Sequence, residues 1–360
     1  MLILKKDIGT MKVILECERM KHPYTGLYEY CYQLGHALQK YFDEDGIGYY
    51  VPKSAVGVFG EAYKYYEKRS IDKLLRRRDM QADVWHSIFQ TTRYLKVRSN
   101  MKKVLTIQDL NFLYEKDFPG KVSKYLNIVQ RNIDRADYVV AISNYTKNDV
   151  LKHMELKGKP LKVIHNGCNI LDFGGQEIEV NYKPSRPFLF FVGTVISKKN
   201  VHVLPCLLVG NDYELVLSGI QSSSYRQKIE DEARKHGVAD RVKFTGAITN
   251  EEKYWYFKNC LAFAFPSLAE GFGAPPIEAM YFGKPVFLSD RTSLPEIGGT
   301  EAYYFENFEP EHMQNVFEKS MNDFAKDLDK PLRLKAHADQ FSWGRCAEEY
   351  ISVYESVMKK

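Results

Sequence analysis

Paired cysteines, long apolar runs and nucleic-acid signatures are all missing from this chain of 360 residues. Its six cysteines, at 17, 31, 168, 206, 260 and 346, are scattered, with no two at metal-ligand spacing. That argues against a structural zinc and for a reducing compartment. No stretch approaches the ~20 apolar residues that cross a bilayer, and no signal peptide is visible. A cytoplasmic protein is expected. Excess charge is small overall, at +5, but unevenly spread. Residues 1–170 carry 29 Lys and Arg against 19 Asp and Glu, and the remainder 22 against 27. A basic half joined to an acidic half suggests that one domain faces something anionic. No recognition motif accompanies the basic half, so nucleic acid is not an expected partner and an anionic membrane surface is.

What is present is ordinary for a soluble enzyme: 44% hydrophobic and 27% charged residues, in a chain long enough for two cores. Met11 reads as the natural start, since Lys12–Leu15 opens a strand. The informative stretch is Phe265–Met280. The apolar run Cys260–Phe265 predicts a short buried strand, stopped by Pro266 and Ser267. Pro275 and Pro276 suit a first helical turn, where a missing N–H costs nothing. Ile277, Met280 and Tyr281 then mark the buried face of a helix. Gly271, Phe272 and Gly273 therefore arrive at a helix N-terminus, whose N–H groups and dipole favour phosphate. Glu270 and Glu278 flank it. A diphosphate repels carboxylates, so these two suit hydrogen bonds from sugar hydroxyls. Taken alone, such a loop also serves as a plain connection, and Glu278 also serves the helix dipole.

Glu270-Gly-Phe-Gly273-Ala-Pro-Pro276-Ile-Glu278-Ala-Met280, followed by Gly283-Lys-Pro285-Val286 and Leu294-Pro-Glu296, resembles the signature of retaining GT-B glycosyltransferases of family 4, the group 1 glycosyltransferases. The resemblance extends along nearly the whole chain. It implies an α/β fold of GT-B architecture, with two Rossmann-like domains facing across a cleft. Residues 1–175 would be the acceptor domain and 176–342 the nucleotide-sugar domain, with a terminal helix, 343–360, packing back on the first.

Taken in order, the chain supports strand–helix alternation. A strand at Lys12–Leu15 leads through His22-Pro-Tyr-Thr-Gly26 to a helix with Tyr28, Cys31, Leu34 and Leu38 on one face. Gly26 reads either as a turn residue or, by the resemblance, as a close approach to the donor. Residues 61–79 mix basic side chains with tyrosine and leucine. They read as a solvated helix face or as an interfacial amphipathic segment binding an anionic membrane. Further strands are expected at 49–52, 83–86, 103–107, 137–142, 161–165, 187–192, 213–217, 241–246, 285–288 and 302–305. Ser143 and Thr249 are expected helix caps. Lys198 and Lys199, after the strand ending near Gly193 and Thr194, stand where α/β sheets bind ligands.

The resemblance assigns roles. Lys198, Lys199 and the amides of Gly271, Phe272 and Gly273 would hold the donor diphosphate. Glu270 would grip donor-sugar hydroxyls and Glu278 those of the ribose. The Ser218-Gly219 and Gly246-Ala247 turns would border the base. At Gln108 many members carry histidine, and at Thr194 many carry arginine; both positions depart from the pattern. No Asp-x-Asp motif stands in a suitable place, so neither metal nor cofactor is expected. The implied reaction moves a sugar from a nucleotide sugar, GDP-mannose or similar, to a glycan or lipid-linked saccharide in surface-polysaccharide synthesis. A nucleotide-sugar epimerase and a non-catalytic binding protein are the alternatives.

Overall fold

The computed structural model of the chain describes residues 10–23, 25–74, 77, 79–95, 97, 100–114, 120–168 and 178–359. The fold divides into two compact units. One runs to Gly167 and takes back the stretch from Ser342; the other is Cys168–Phe341. The domain break expected at 175/176 lies within 169–177, outside the described residues.

The first unit is built on seven parallel strands: β1 (Val13–Glu16), β2 (Ile47–Val51), β3 (Lys64–Glu67), β4 (Val84–Ser87), β5 (Lys102–Ile107), β6 (Tyr138–Ala141) and β7 (Leu161–Val163). Their order is β3-β2-β1-β4-β5-β6-β7. Helices α1 (Gly26–Leu38), α2 (Val122–Arg135) and α3 (Asn144–His153) belong to it. In α1 the expected positions Cys31, Leu34 and Leu38 are fully buried, while Tyr28 is half-buried. Ser143 caps α3, its Oγ accepting from the Thr146 N–H.

The second unit carries six parallel strands: β8 (Phe188–Val192), β9 (Glu214–Ser218), β10 (Val242–Gly246), β11 (Ala262–Phe265), β12 (Val286–Ser289) and β13 (Tyr303–Phe305). Their order is β10-β9-β8-β11-β12-β13. It includes α4 (Ser223–Lys235), α5 (Asn250–Asn259), α6 (Ala274–Tyr281), α7 (Leu294–Gly298), α8 (Pro310–Lys326) and α9 (Lys330–Ala338). Phe188–Phe191 are buried without alternation, as a central parallel strand requires. In both sheets a strand order that reverses beside the first strand makes the carboxyl edge a ligand position.

The last helix, α10 (Trp343–Met358), belongs to the first unit although it follows the second in sequence. Its polar face enters a buried network there. Tyr350 Oη lies 2.6 Å from Tyr30 Oη and 2.8 Å from Thr106 Oγ1. Tyr354 Oη lies 2.8 Å from His86 Nδ1, whose Nε2 meets Thr106 Oγ1 at 2.8 Å. The Asn166-Gly167 turn admits the helix start: a β-carbon at Gly167 would stand 2.1 Å from the Trp343 nitrogen.

The described residues of 61–79 do not form the expected helix. Lys64–Glu67 is the edge strand β3, and Ser70–Lys73 a single 3-10 turn. The aromatic side chains are consumed by the fold: Tyr66 is buried, and Tyr65 Oη bonds the Phe59 N–H and the Gly60 carbonyl. Arg77 is held by Asp79, by the Glu67 carbonyl and over the Tyr66 ring. Leu75, Arg76 and Arg78 lie outside the described residues. Among the described residues no helix is long and apolar enough to cross a membrane.

Burial lowers the pKa of His86 from its ordinary 6.5 to about 3. Between those values only the unfolded chain takes up the proton, so this contribution is complete above pH 6.5 and is lost as pH falls toward 3. Tyr354→Phe should leave the buried His86 Nδ1 unpartnered at a cost of about 1–3 kcal/mol. Denaturant midpoints measured at pH 7.5 and 5 check both points. A variant as stable as the parent, or stability that rises on acidification in the parent and in His86→Asn alike, would count against this network.

Candidate active site

The glutamate loop leaves β11 at Pro266 and ends at Gly273, the N-cap of α6. Two buried serines hold its carbonyls from behind. Ser289 Oγ donates to the Ser267 carbonyl, and Ser293 Oγ donates to those of Glu270 (3.1 Å) and Phe272 (2.6 Å). In a trans peptide the N–H points opposite to its C=O. Ser293 therefore turns the N–H groups of Gly271 and Gly273 away from itself. Gly273 has φ 119°, and a β-carbon there would come within 2.9 Å of Leu294 Cδ2. Only glycine meets both conditions. The expected positions Ile277 and Met280 of α6 are fully buried, and Tyr281, at its end, is half-buried.

The lysines stand on a 3-10 turn, Ser197–Lys199, closed by Asn200 in the left-handed conformation at φ 57°. The Lys198 carbonyl accepts from the Leu268 N–H at 2.9 Å and from Ser267 Oγ at 3.4 Å. This fixes the lysine turn against the glutamate loop. Lys199 Nζ lies 2.5 Å from Glu270 Oε1, with the two side chains 16% and 13% exposed, and 5.0 Å from the Phe265 ring centre. A second pair, absent from the sequence reading, is built in the same way. Lys253 of α5 meets Glu278 of α6 at 2.7 Å. Thr249 and Glu252 form the capping box that starts α5 and so sets where Lys253 falls.

The neighbouring strand ends supply glycine turns. The Gly193 N–H bonds the Ser218 carbonyl at 3.0 Å, and the Gly219 N–H bonds that of Gly246 at 2.7 Å. Gly219 has φ 135°, and a β-carbon on it would stand 1.9 Å from the Gly193 oxygen. No larger residue fits there. Thr194 and Ala247 are exposed beside these turns.

Gly193, Thr194, Lys198, Lys199, Gly219, Ala247, Glu270, Gly271, Phe272, Gly273 and Glu278 thus lie on segments that leave the carboxyl edge of the second sheet. Gly26 and Gln108 belong to the first unit. Gly26 opens α1 after the cap Thr25, and nothing lies within 4 Å of where its β-carbon would be. Gln108 is buried, its Nε2 donating to the Ile88 carbonyl at 3.0 Å. Its amide nitrogen is thereby engaged in the fold. Among the described residues no group of three His, Cys, Asp or Glu side chains is arranged to hold a metal ion.

Comparisons with known proteins bear on the whole chain. Residues 176–340 match the family described as glycosyl transferases group 1, and residues 31–170 match Glycosyltransferase Family 4. The chain is 27% identical over 241 residues to the serotype-specific mannosyltransferase WbdA of Escherichia coli, covering 63% of this chain but only 29% of that protein. It is 21% identical over 280 residues to O-antigen chain mannosyltransferase B of Escherichia coli, covering 71% and 70% of the two. Among solved structures, sucrose-phosphate synthase from Thermosynechococcus elongatus aligns with TM-score 0.76 at 16% identity, over 97% of this chain and 99% of its own. Anabaena HepE, solved with UDP and glucose, aligns with TM-score 0.71 at 18% identity, over 96% and 100%. The likeness to the solved structures is one of fold: two Rossmann-like domains of GT-B architecture. With the family matches spanning both units, the chain belongs to the group 1 glycosyltransferases of family 4.

Proposed function

We propose that this glycosyltransferase moves a hexose, with retention of configuration and without a metal ion, from a nucleotide sugar such as GDP-mannose to a saccharide acceptor in surface-polysaccharide synthesis. The observation that carries the reading is the Lys199–Glu270 pair at the mouth of the glycine loop. Support for the sugar and the pathway comes from WbdA and O-antigen chain mannosyltransferase B, whose names specify mannosyl transfer.

In this reaction the bond between the anomeric carbon and the diphosphate oxygen breaks. The acceptor hydroxyl oxygen bonds to that carbon from the same face, and its proton passes to the departing phosphate. Negative charge grows on the diphosphate. Lys198, Lys199 and the loop amides meet it as fixed donors, the arrangement that makes the largest catalytic contribution in such sites. Glu270 has two tasks. One carboxylate oxygen holds Lys199 in position, and the other is available to the donor sugar's hydroxyls. Glu278, steadied by Lys253, takes the ribose hydroxyls.

Donor hydrolysis and transfer measured against GDP-, UDP- and dTDP-sugars test the reading; no turnover with any of them would overturn it. Lys199→Ala should lower turnover roughly 10²–10³-fold, the usual cost of removing one preorganised charge donor. A rate within twofold of the parent would take Lys199 out of the mechanism.

The two glutamates should separate in calorimetry with the free nucleoside diphosphate. Glu278→Ala should bind it more weakly, having lost the ribose contact. Glu270→Ala should bind it at least as well, because Lys199 is released to the phosphates, yet transfer should drop. Equal affinity losses in both variants would refute this division.

Cations and a helix dipole here do the work that Mg²⁺ does at other diphosphate sites. Activity should therefore survive excess EDTA. Full loss, restored by Mg²⁺ or Mn²⁺, would mean that a metal takes part.

A further inference from the structure

One connection in the second unit carries backbone strain that the path of the chain does not call for. Among the described residues, three that are not glycine have positive φ: Lys157, Asn200 and Thr292. Asn200 closes the lysine turn, and Lys157 precedes Gly158 in a loop of the first unit. Thr292, at φ 54°, is the β-branched one. Two heavy atoms on its β-carbon make the left-handed region costly, so a threonine there is an outlier. Residues 290–293 lead from β12 into α7. A glycine at 292 would make the same connection without strain. What threonine adds is a hydroxyl.

That hydroxyl is spent on Glu270. Thr292 Oγ1 accepts from the Glu270 N–H at 3.0 Å, and the next residue, Ser293, donates to the Glu270 carbonyl at 3.1 Å. Strands β11 and β12 are neighbours, so the segment leaving β12 stands beside the loop leaving β11. The Glu270 N–H lies in the peptide plane before its α-carbon, and its carbonyl lies in the plane after it. Holding both planes fixes φ and ψ of Glu270 and with them the direction of its Cα–Cβ bond. Only the side-chain torsions are left, and Lys199 engages one carboxylate oxygen. The other oxygen therefore has a set place. The clamp is itself braced: the Leu294 N–H bonds the Arg291 carbonyl at 3.1 Å, and the Arg291 N–H bonds Ser289 Oγ at 3.4 Å. A sparsely populated backbone conformation persists only where its surroundings over-determine it, and such strain gathers at functional sites.

We propose that Thr292 is a positioning residue of the transferase, acting through the Glu270 backbone to aim the free carboxylate oxygen at the donor sugar. The inference rests on the transferase reading and deepens it. Thr292 is assigned no contact with the donor; its strained conformation is what fixes Glu270.

The test uses the full chain with Thr292→Ala, Thr292→Gly and Thr292→Ser. Alanine and glycine remove the hydroxyl, and serine keeps it. Glycine also suits the connection without strain, so a folded protein lacking the hydroxyl is available, and circular dichroism checks the fold of all three. Amide hydrogen exchange of the peptide spanning 266–273 reads the positioning without any turnover. Exchange should quicken in the alanine and glycine variants and stay at the parent's rate in the serine variant. In donor turnover, kcat should fall roughly ten- to hundredfold in the first two, as expected when a reacting group is misplaced by about 1 Å. Thr292→Ser should keep the parent's kcat. Calorimetric affinity for the free nucleoside diphosphate should match the parent throughout, because Glu270 serves the sugar; a merely structural role would move affinity together with kcat. Since Thr292 acts through Glu270, Thr292→Ala should add no further loss to Glu270→Ala. Parent-like exchange in folded Thr292→Ala and Thr292→Gly proteins overturns the proposal. So does a Thr292→Ala loss that is as large in the Glu270→Ala background as in the parent, or a Thr292→Ser protein as impaired as Thr292→Ala. A parent that turns over no nucleotide sugar overturns the transferase reading instead, and loop exchange then still decides whether Thr292 holds Glu270.

Discussion

A backbone hydrogen bond sets the geometry of the active site. The Lys198 carbonyl accepts from the Leu268 N–H, joining two segments 70 residues apart in sequence. It places the cationic turn and the glutamate loop in one register before any side chain is considered. Because both segments leave the carboxyl edge of a parallel sheet, the strand spacing of about 4.8 Å already brings them close. The hydrogen bond removes the remaining freedom. The Lys199–Glu270 pair then forms between side chains whose backbones are already fixed, which cuts the side-chain entropy cost that makes most exposed ion pairs weak. Ser267 Oγ adds a second bond to the Lys198 carbonyl, and Ser289 and Ser293 tie the loop carbonyls of Ser267, Glu270 and Phe272 inward.

The first unit depends on a different constraint, the enclosure of hydroxyls and an imidazole by the returning helix α10. Tyr350 and Tyr354 are fully buried, and each finds a partner only on β4, β5 or α1. A buried network of this kind favours one docking of the helix, since a slip by one turn would strand several polar atoms in an apolar interior. This gives a physical reason why the stretch from Ser342 belongs to the first unit although it follows the second in sequence.

What the sequence made legible follows the reach of its signals. The apolar run at 187–192, the capping residues Ser143 and Thr249, and the spacing of Ile277 and Met280 are local, and each appears as expected. Segment 61–79 failed because a four-residue edge strand is too short to show its period. Its basic and aromatic composition imitated an amphipathic helix, while the tyrosines were in fact closing turns and packing. Lys253 was invisible as a site residue because its partner Glu278 is 25 positions away, and only the packing of α5 beside α6 joins them. The basic stripe on α2 was within reach of the sequence, since Lys124, Arg131 and Arg135 keep helical spacing; Lys73 and Arg93, which line one groove with them, were not, since that groove is assembled by the fold.

The two cationic regions differ in a way that bears on what each can bind. At Lys199 and Lys253 every ammonium shown has a carboxylate partner, so these pairs add little net charge and attract little at long range. Their value lies in presenting acceptors and donors together, which matches a ligand that carries hydroxyls beside phosphates. Around the groove that Lys73 and Arg93 line with α2 the charge is unmatched among the described residues. Its field therefore extends outward over roughly a Debye length, about 8 Å at physiological ionic strength, and can steer an anion before contact. Selectivity for a sugar nucleotide calls for the first arrangement, since a bare cationic patch would take any phosphate. The basic excess in residues 1–170 then has a local meaning: part of it is neutralised in pairs such as Lys68–Glu18 and Arg77–Asp79, and part is concentrated unmatched on one side of α2.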